Sequence, residues 1–435
     1  MHKISPLHLL LALFFLITLL PFVPNLSYDY HNSQRVFQFI LLVSSLLCFS
    51  RMKIKSVNVD TETKYAFYLF IALNIVSSLL SDFRISSFFN ILHYIALVYL
   101  ALYICQLNKI SLKIIWISLF LAHSVLILFC FLNLLFTLIE RSNLSAHLIY
   151  MKFDNIRHFN HIQLLVLPFS LYLTKNKKFK VIVFSLITIN LLLLFVGSSL
   201  AALLLLPLIF LLLYLLKLRT YLYTYLYSIL LSLLFYLCIC LYLPINENDA
   251  SYFSSSGRFE MWQNSISEGL NLFSGIGTGN YSYRVNATVL SHPHNSIIQI
   301  LTESGILSGI LIIFILSKIF WVQFNNQNDR TEAEKIYFLT FICWIVYSLV
   351  SGLMVMPVTQ VIACLLLGSL MCVTKCVSPI AMSKWNKFYL LLLSAVYSIM
   401  FYCSFIQLNA DTPKMAGPSF WSAGEKNLQL GIYEK

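Results

Sequence analysis

The residue types that most often do chemistry cluster between Arg258 and Glu303. Arg258 precedes a helical apolar pattern, and a guanidinium offers paired donors that match the oxygens of a phosphate or a carboxylate. The pattern consists of Phe259, Trp262, Ile266 and Leu270. Downstream, His294 stands in a His-Pro-His-Asn sequence, and an imidazole that titrates near neutral pH can take a proton from a hydroxyl group. These residues predict a site that binds an anion and activates a hydroxyl.

Each of these residues also has a structural interpretation. An arginine near a membrane surface can contact lipid headgroups, and a histidine beside a predicted span can simply stand at a helix entry. The grouping of His292, His294 and Asn295, with Arg258 upstream and Glu303 downstream, favours a functional site over these alternatives.

The glycine-rich stretch at 275–279 does not predict a nucleotide site. A dinucleotide-binding fingerprint follows a strand within a βαβ unit, and no such unit is indicated around this stretch. No closely spaced pair of cysteines stands near a histidine cluster, so a structural zinc site is not expected. We therefore expect no cofactor and no metal.

The composition shows which environment must hold these residues. Of the 435 residues, 59% are hydrophobic and 11% are charged, and the mean hydropathy is +0.81. A soluble domain carries about 25% charged residues, and this sequence folded in water would expose wide apolar surfaces. We therefore predict a polytopic membrane protein and exclude an ordinary soluble enzyme.

Apolar stretches of about 20 residues cross the hydrocarbon core, and they predict an all-α membrane protein with about 12–13 transmembrane helices and a large periplasmic loop. The stretches lie near residues 7–23, 36–50, 65–80, 88–105, 114–139, 161–174, 181–197, 200–216, 221–243, 296–323, 336–354, 358–374 and 388–407. The predicted parts are an N-terminal helix bundle (1–243), a periplasmic loop with the active site (244–295), C-terminal transmembrane helices (296–407) and a periplasmic tail (408–435). The Gly197–Ser199 break allows a tight turn or a re-entrant loop.

The net charge of +12 reflects membrane topology. With the N-terminus in the cytoplasm, most basic residues fall in cytoplasmic loops and most acidic residues fall outside, as the positive-inside rule requires. We therefore expect no nucleic-acid partner. The same orientation places 244–295 outside, which in a Gram-negative bacterium is the periplasm. The prediction is a multi-pass inner-membrane protein whose active site faces the periplasm.

The order of short motifs around Arg258 resembles the O-antigen ligase superfamily. The motifs are Arg258 with Trp262, Gly275–Asn280, Pro293–Ser296 and Glu303–Ile306. That superfamily comprises lipopolysaccharide O-antigen ligases, O-antigen polymerases and bacterial O-linked oligosaccharyltransferases. The likeness in size, helix number and loop position covers most of the chain.

The resemblance implies an inverting, metal-independent glycosyltransferase whose donor is a glycan on undecaprenyl pyrophosphate. It implies that Arg258 grips the pyrophosphate and that His294 activates or orients the acceptor hydroxyl. The acceptor would be lipid A-core, a growing glycan chain or a pilin-like protein, and the enzyme would also contact membrane lipids. His292, Asn295 and Glu303 would contribute to substrate binding.

One departure from the family pattern concerns a second arginine. The family commonly carries it where a span begins after a short turn, and here that place reads Gly197–Ala202 without an arginine. Either the second cation comes from elsewhere, or the donor is held differently, or this copy is impaired. Among the arginines predicted on the outer face we favour Arg157, and after it Arg35, for substrate binding, because each stands in a polar cluster beside a span. Headgroup contact is the alternative role for both. Three further stretches resemble one branch of the superfamily: Tyr28–Arg35, Asp154–Gln163 and Pro418–Gly424.

A transporter of lipid-linked oligosaccharides is the alternative from another class. Transporters tend to show paired half-repeats and polar residues near the membrane midplane. This chain shows no clear internal repeat, and its polar residues gather on one outer face, which favours an enzyme at the interface. Among acceptors, we place O-antigen ligation first, O-chain polymerisation second and O-linked protein glycosylation third.

Overall fold

The structure is a computed structural model that describes residues 6–20, 30–55, 60–142, 150, 153, 155–243, 258–285, 288–326, 329–371, 379–406 and 420–422. Of the predicted spans, loop and motifs named above, residues 21–23, 28–29, 154, 244–257, 286–287, 372–374, 407, 418–419 and 423–424 lie outside this part, as does most of the predicted tail. The described residues form fifteen helices: α1 (Pro6–Leu19), α2 (Tyr30–Arg51), α3 (Thr61–Leu80), α4 (Arg84–Cys105), α5 (Lys109–Ile139), α6 (Ile156–Leu173), α7 (Lys180–Gly197), α8 (Leu200–Leu215), α9 (Arg219–Tyr242), α10 (Arg258–Gly269), α11 (Ser296–Ser304), α12 (Ile306–Asn325), α13 (Glu332–Ser348), α14 (Pro357–Met371) and α15 (Lys384–Ile406).

Eight of these helices are long and apolar enough to cross a membrane: α2, α3, α4, α5, α7, α9, α12 and α15. Three shorter helices, α1, α8 and α14, are also apolar. The prediction of an all-α, multi-pass membrane protein is confirmed. Four three-residue strands, β1 (Lys53–Lys55), β2 (Tyr283–Val285), β3 (Thr288–Leu290) and β4 (Pro379–Ala381), pair as β1 with β4 and β2 with β3, both antiparallel.

Each predicted span contains a helix, and two differences from the predicted boundaries bear on the site. The span expected from residue 36 begins at Tyr30, so that Arg35 lies inside α2 and not in a loop before it. The span expected over 296–323 is two helices, because Gly305 between α11 and α12 has a φ of +91°. That conformation interrupts a helix and suits glycine, which has no Cβ to clash.

The first compact unit comprises residues 1–25, 108–254 and 329–347. Within it α5 packs against α1, α6 and α7, and α7 packs against α9. The Trp116 ring of α5 lies 5.2 Å from the Phe169 ring of α6 and 5.3 Å from the Tyr337 ring of α13. Between α7 and α8 the break at 197–199 is a tight turn, in which Ser198 has a φ of +47°.

The second compact unit comprises residues 26–107, 255–328 and 348–435. Here α4 packs against α2 and α14, α2 packs against α15, and α3 packs against α12. The segment between α9 and α12 adds α10, the β2–β3 hairpin and α11, and α10 packs against α11. All the predicted site residues except Arg157 belong to this unit.

The contact between α4 and α14 depends on a small residue. A Cβ atom on Gly368 of α14 would lie 2.6 Å from Ile104 Cβ and 2.7 Å from the Ala101 carbonyl oxygen of α4. Small residues allow such close helix approach inside membrane proteins, where lipid supplies no hydrophobic drive for association. The same two helices carry His93 and Gln360, whose side chains meet at 3.1 Å.

Replacing Gly368 with valine should push α4 and α14 apart. Overpacking of this kind costs about 1–3 kcal/mol, so we expect a melting temperature several degrees lower for the purified protein in detergent. Leu391→Val on the exposed face of α15 is the control, because Leu391 is about half exposed. An unchanged melting temperature for Gly368→Val would contradict this packing.

Candidate functional site

The segment that carries His294 links β3 to α11. Ser291, His292 and Pro293 are buried, and His294 is half-buried with a φ of +54°, in the left-handed region. A non-glycine residue held there costs about 1–3 kcal/mol, and such residues concentrate at functional sites. Asn295 caps α11, because its side-chain oxygen accepts hydrogen bonds from the next two backbone N–H groups of the helix, each at 3.0 Å.

A hydrogen bond joins α10 to this segment. The Trp262 indole N–H donates to the Pro293 carbonyl oxygen at 2.7 Å. Arg258 lies four residues before Trp262, so the two side chains share one face of α10. Arg258, at the start of α10, and His294, directly after Pro293, therefore lie on two segments that this hydrogen bond joins. The structure thus brings Arg258 and His294 into one neighbourhood.

The helix expected after Arg258 is present, but its apolar pattern does not mark the buried face. Phe259 and Ile266 are 75% and 50% exposed, whereas Met261 and Ser265 are buried. The Ser265 hydroxyl lies 3.0 Å from the Tyr281 hydroxyl, on the stretch that leads to the hairpin.

His292 packs beside His294, with 4.2 Å between the ring centroids. Its Nε2 atom lies so close to Gly352 that a Cβ atom there would clash with the ring. The His292 ring therefore occupies space that the absence of a side chain at Gly352 leaves open.

Glu303 organises the glycine-rich stretch. Its two carboxylate oxygens accept hydrogen bonds from the Gly279 N–H at 2.8 Å and from Gln299 Nε2 at 3.0 Å. Its carbonyl oxygen accepts from the Gly277 N–H at 3.0 Å and from the Ser77 hydroxyl at 2.7 Å. Glu303 therefore fixes the loop at 275–279 against the end of α11.

Glycine is required in this loop for two reasons. Gly277 and Gly279 have φ angles of +97° and +82°, where side chains are strained. A Cβ atom would also meet the Ser87 hydroxyl at Gly277 and the Asn90 amide at Gly279. The stretch that resembled a nucleotide motif is thus a tight loop packed on α4 and α11.

Burial raises the pKa of the Glu303 carboxyl to about 7, while hydrogen bonds from the Gly279 N–H, Gln299 and the Tyr281 N–H act in the opposite direction. Glu303 is 3% exposed and lies in α11, which is not one of the eight candidate spans. A carboxyl group in this state changes charge near neutral pH, as a buried acid does.

Arg35 is the most deeply buried of the predicted site residues in the second unit, at 1% exposure. Its Nε–H donates to the Phe420 carbonyl at 3.0 Å, and one terminal nitrogen donates to the Val355 carbonyl at 2.6 Å. The other terminal nitrogen donates at 2.7 Å to both the Gln38 and Gln360 side-chain oxygens. Carbonyl oxygens from four places in the sequence thus hold one guanidinium group.

His93 extends this network. Its Nε2 atom lies 3.1 Å from the Gln360 oxygen and 3.2 Å from an Arg35 terminal nitrogen, and its Nδ1 atom lies 2.8 Å from the Tyr397 hydroxyl. Which of the two ring nitrogens donates in these contacts depends on the tautomer of His93.

A cavity opens beside this network. The polar side chains that line it are Arg35, Asn90, His93, Ser291, Gln299 and Gln360. Ser291 belongs to the same short segment as His294, and Gln299 belongs to α11, so the cavity adjoins the His294 segment. Arg258 and His294 are not among its lining residues. Within the described residues, no three His, Cys, Asp or Glu side chains group so as to hold a metal ion.

Arg157 lies in the first unit, at the start of α6. Asn155 caps that helix by accepting from the Arg157 N–H at 2.9 Å. Further along α6, Gln163 Nε2 donates to the Asn190 carbonyl of α7 at 2.9 Å, and His123 of α5 lies 3.0 Å from the Asn190 side-chain oxygen. The role expected for Arg157 stays a prediction.

Sequence reasoning missed the polar residues buried inside apolar helices. His93, Gln360 and Tyr397 stand in α4, α14 and α15, and the available signal was that polar groups within membrane helices are rare and often functional. Starting the second span at residue 36 placed Arg35 in a loop, and this hid its connection to Gln38 one turn later.

Comparison with known proteins supports a function for this neighbourhood. Residues 182–314 match the family described as O-antigen ligase, which confirms the resemblance to that superfamily. The match contains the whole segment 258–303 and excludes Arg35 and Arg157. It supports a glycosyltransferase activity of the O-antigen ligase or polymerase kind. No curated protein and no solved structure matches the chain.

Because burial raises the pKa of Glu303 from about 4.5 to about 7, the folded state holds this proton more tightly than the unfolded state. The contribution to stability is therefore present at low pH and lost as the pH rises from about 4.5 to about 7. We expect Glu303→Gln to reduce the fall in melting temperature between pH 5 and pH 8. The control is Glu140→Gln, at an exposed carboxyl. An equal fall in wild type and Glu303→Gln would contradict the burial of an ionisable group here.

Proposed function

We propose that this protein is an O-antigen ligase-like glycosyltransferase of the bacterial inner membrane. It moves a glycan from undecaprenyl pyrophosphate to the lipid A-core at the periplasmic face. The observation that carries the proposal is the Trp262–Pro293 hydrogen bond, which holds the Arg258 helix against the His294 segment inside the region matched by the family.

In the proposed reaction, His294 takes the proton of the acceptor hydroxyl as the hydroxyl oxygen attacks the anomeric carbon. The bond between that carbon and the pyrophosphate oxygen breaks, and its electron pair leaves with undecaprenyl pyrophosphate. Attack opposite the leaving group inverts the anomeric configuration. Arg258 stabilises the negative charge that develops on the pyrophosphate, as a fixed cation can do where water is scarce.

The left-handed backbone at His294 supports a catalytic role, because a strained conformation at a half-buried imidazole persists only where its surroundings enforce it. The Asn295 cap and the His292 ring adjoin His294, and in the proposal His292, Asn295 and Glu303 contribute to substrate binding. A lipid diphosphate carries no nucleotide, so the reaction needs no nucleotide pocket.

In the proposal, another cation replaces the arginine that the turn at 197–199 lacks. Arg35 is one candidate, because its buried guanidinium lines the cavity beside the His294 segment. Charge acts over longer distances in a poorly polarisable interior than in water. Arg157 is the other candidate, and its position at the start of α6 beside a polar cluster supports it.

Arg258→Ala and His294→Ala should each lower glycan transfer about 100-fold or more, since each removes a charge or proton-transfer group from the transition state. The measurement is the amount of O-chain attached to core in a deletion strain complemented with each variant, at equal membrane abundance. Arg51→Ala, at an exposed position, is the matched control and should transfer normally. Full transfer by both site variants would overturn the proposed mechanism.

The acceptor is identified by the lipopolysaccharide profile of the deletion strain. We expect core without O-chain, as loss of a ligase leaves the finished chain on its lipid. Core carrying a single repeat would instead indicate a polymerase, and a normal profile with an unglycosylated pilin would indicate a protein-directed enzyme. Lipid-linked glycan trapped on the cytoplasmic side would identify a transporter and refute the enzyme.

A further inference from the structure

The apolar pattern of α10 lies on an exposed face of that helix. The helical repeat places Phe259, Ile266 and Leu270 within an arc of about 40°, and we call these three residues the apolar face. Their side chains are 75%, 50% and 38% exposed. The buried residues Met261 and Ser265 point away from this arc. Exposed polar residues form a third face, which consists of Glu260, Gln263 and Ser267.

The apolar face continues into the segment that caps α12. Leu272 and Phe273 follow α10 and are 47% and 56% exposed. The first N–H groups of a helix have no partner within it. Here the Ile306 N–H donates to the Asn271 carbonyl oxygen at 2.9 Å, and the Leu307 N–H donates to the Leu272 carbonyl oxygen at 3.1 Å. Because α12 is one of the eight candidate spans, this segment lies where a helix enters the membrane.

The residues that follow contact the connection between two further candidate spans, α3 and α4. The Gly275 N–H donates to the Ser77 hydroxyl of α3 at 3.0 Å, and the Ser81 hydroxyl donates to the Ile276 carbonyl oxygen at 2.8 Å. Since only residues 81–83 separate α3 from α4, the end of α3 and the start of α4 lie on the same side of the membrane. The segment after α10 therefore rests on the ends of three spans, at the membrane surface.

The helix α10 runs along that surface. It packs against α11, and its Trp262 contacts Pro293, before α11 begins, whereas residues 271–272 contact the residues just after α11 ends. At the beginning of α11, Ser291 shares a cavity wall with Asn90, which stands in the first two turns of α4. Both ends of α11 thus lie beside span ends at one membrane surface, and α10 lies alongside α11.

We propose that α10 is an interfacial helix whose apolar face is buried among the acyl chains of the lipid leaflet at this surface. Continuity supports this occupant, because exposed apolar residues stand near the same ends of all three spans. They are Leu79 and Leu80 of α3, Ile85 of α4 and Ile310 of α12. The division of α10 into an apolar and a polar face is typical of helices that lie in a membrane surface.

This inference goes beyond the proposed function and does not depend on it. The bilayer helps to hold α10, and with it Arg258 at its start, at the height of the membrane surface. For a lipid-linked donor this is the height of the diphosphate, a consequence that does rest on the proposed function.

Photo-cross-linking of the full-length protein in phospholipid nanodiscs tests the insertion. Phe259, Ile266 or Gln263 is replaced with p-benzoylphenylalanine, which reacts with C–H bonds that it touches, and mass spectrometry measures the lipid adducts. We expect about tenfold more phospholipid adduct from positions 259 and 266 than from 263, because acyl chains surround the apolar face and water surrounds the polar face. Ile310, on a span, is the positive control. Equal yields at the three α10 positions, or adducts from position 310 alone, would overturn the inference.

The identity of the cross-linked molecule tests the other occupants of the apolar face. The nanodiscs contain phosphatidylethanolamine and phosphatidylglycerol, and a parallel sample also contains undecaprenyl phosphate. Adducts to undecaprenyl phosphate without adducts to phospholipid would assign the face to a substrate tail. Adducts in cell membranes to a second copy of the chain, again without phospholipid, would assign it to a protein interface. Either result would overturn the inference.

A charge on the apolar face should weaken the insertion. We expect Ile266→Glu to lower the phospholipid adduct from position 259 by about half or more, because lipid disfavours a charged side chain. Ser267→Glu adds the same charge to the polar face and should leave the adduct unchanged, and the melting temperature of each variant monitors folding. An unchanged adduct in folded Ile266→Glu would contradict the insertion. If Ile266→Glu does not fold, the comparison of positions 259, 266 and 263 decides alone, and a wild type without glycan transfer would overturn only the proposed function.

Discussion

The second unit depends on satisfying one buried guanidinium. Placing a charge in an apolar interior costs several kcal/mol, and each hydrogen bond to it returns about 1.5–3 kcal/mol. For Arg35 those bonds come from carbonyl oxygens of Phe420 and Val355 and from the side chains of Gln38 and Gln360. Because these acceptors stand on α2, before and in α14, and beyond α15, satisfying the cation fixes the mutual arrangement of those elements.

A second buried ionisable group fixes the loops in the same way. Glu303 accepts from the Gly279 N–H and from Gln299, and its backbone receives the Gly277 N–H. These bonds hold the glycine-rich loop against the end of α11. The start of the same helix is capped by Asn295, the residue after His294. The Trp262–Pro293 hydrogen bond holds α10, which begins at Arg258, against the segment that carries His294. A reaction between two bulky lipid-linked substrates would use such rigidity, because misplaced groups lose much of their effect.

The sequence predicted what local chemistry determines. The lengths of the apolar stretches predicted the helices. The types and order of Arg258, His294 and Glu303 indicated the segment that the family match contains. It did not predict the Arg35 network, because Phe420 and Arg35 are 385 residues apart and neither has a local pattern that names the other. The apolar pattern also failed to predict which face of α10 is buried. Phe259 belongs to that pattern but is exposed, whereas Ser265 does not belong to it but is buried. The Arg35 network and the buried face of α10 both depend on contacts between segments that are far apart in the sequence.

The most direct test of the central claim is a cryo-EM structure of the full-length protein in nanodiscs with undecaprenyl pyrophosphate. The account predicts density for the pyrophosphate in the second unit, in contact with Arg258 and within reach of the His294 segment and the cavity beside Arg35. Headgroup density away from these residues, with Arg258 and His294 untouched, would contradict the claim that this neighbourhood is the site of glycan transfer.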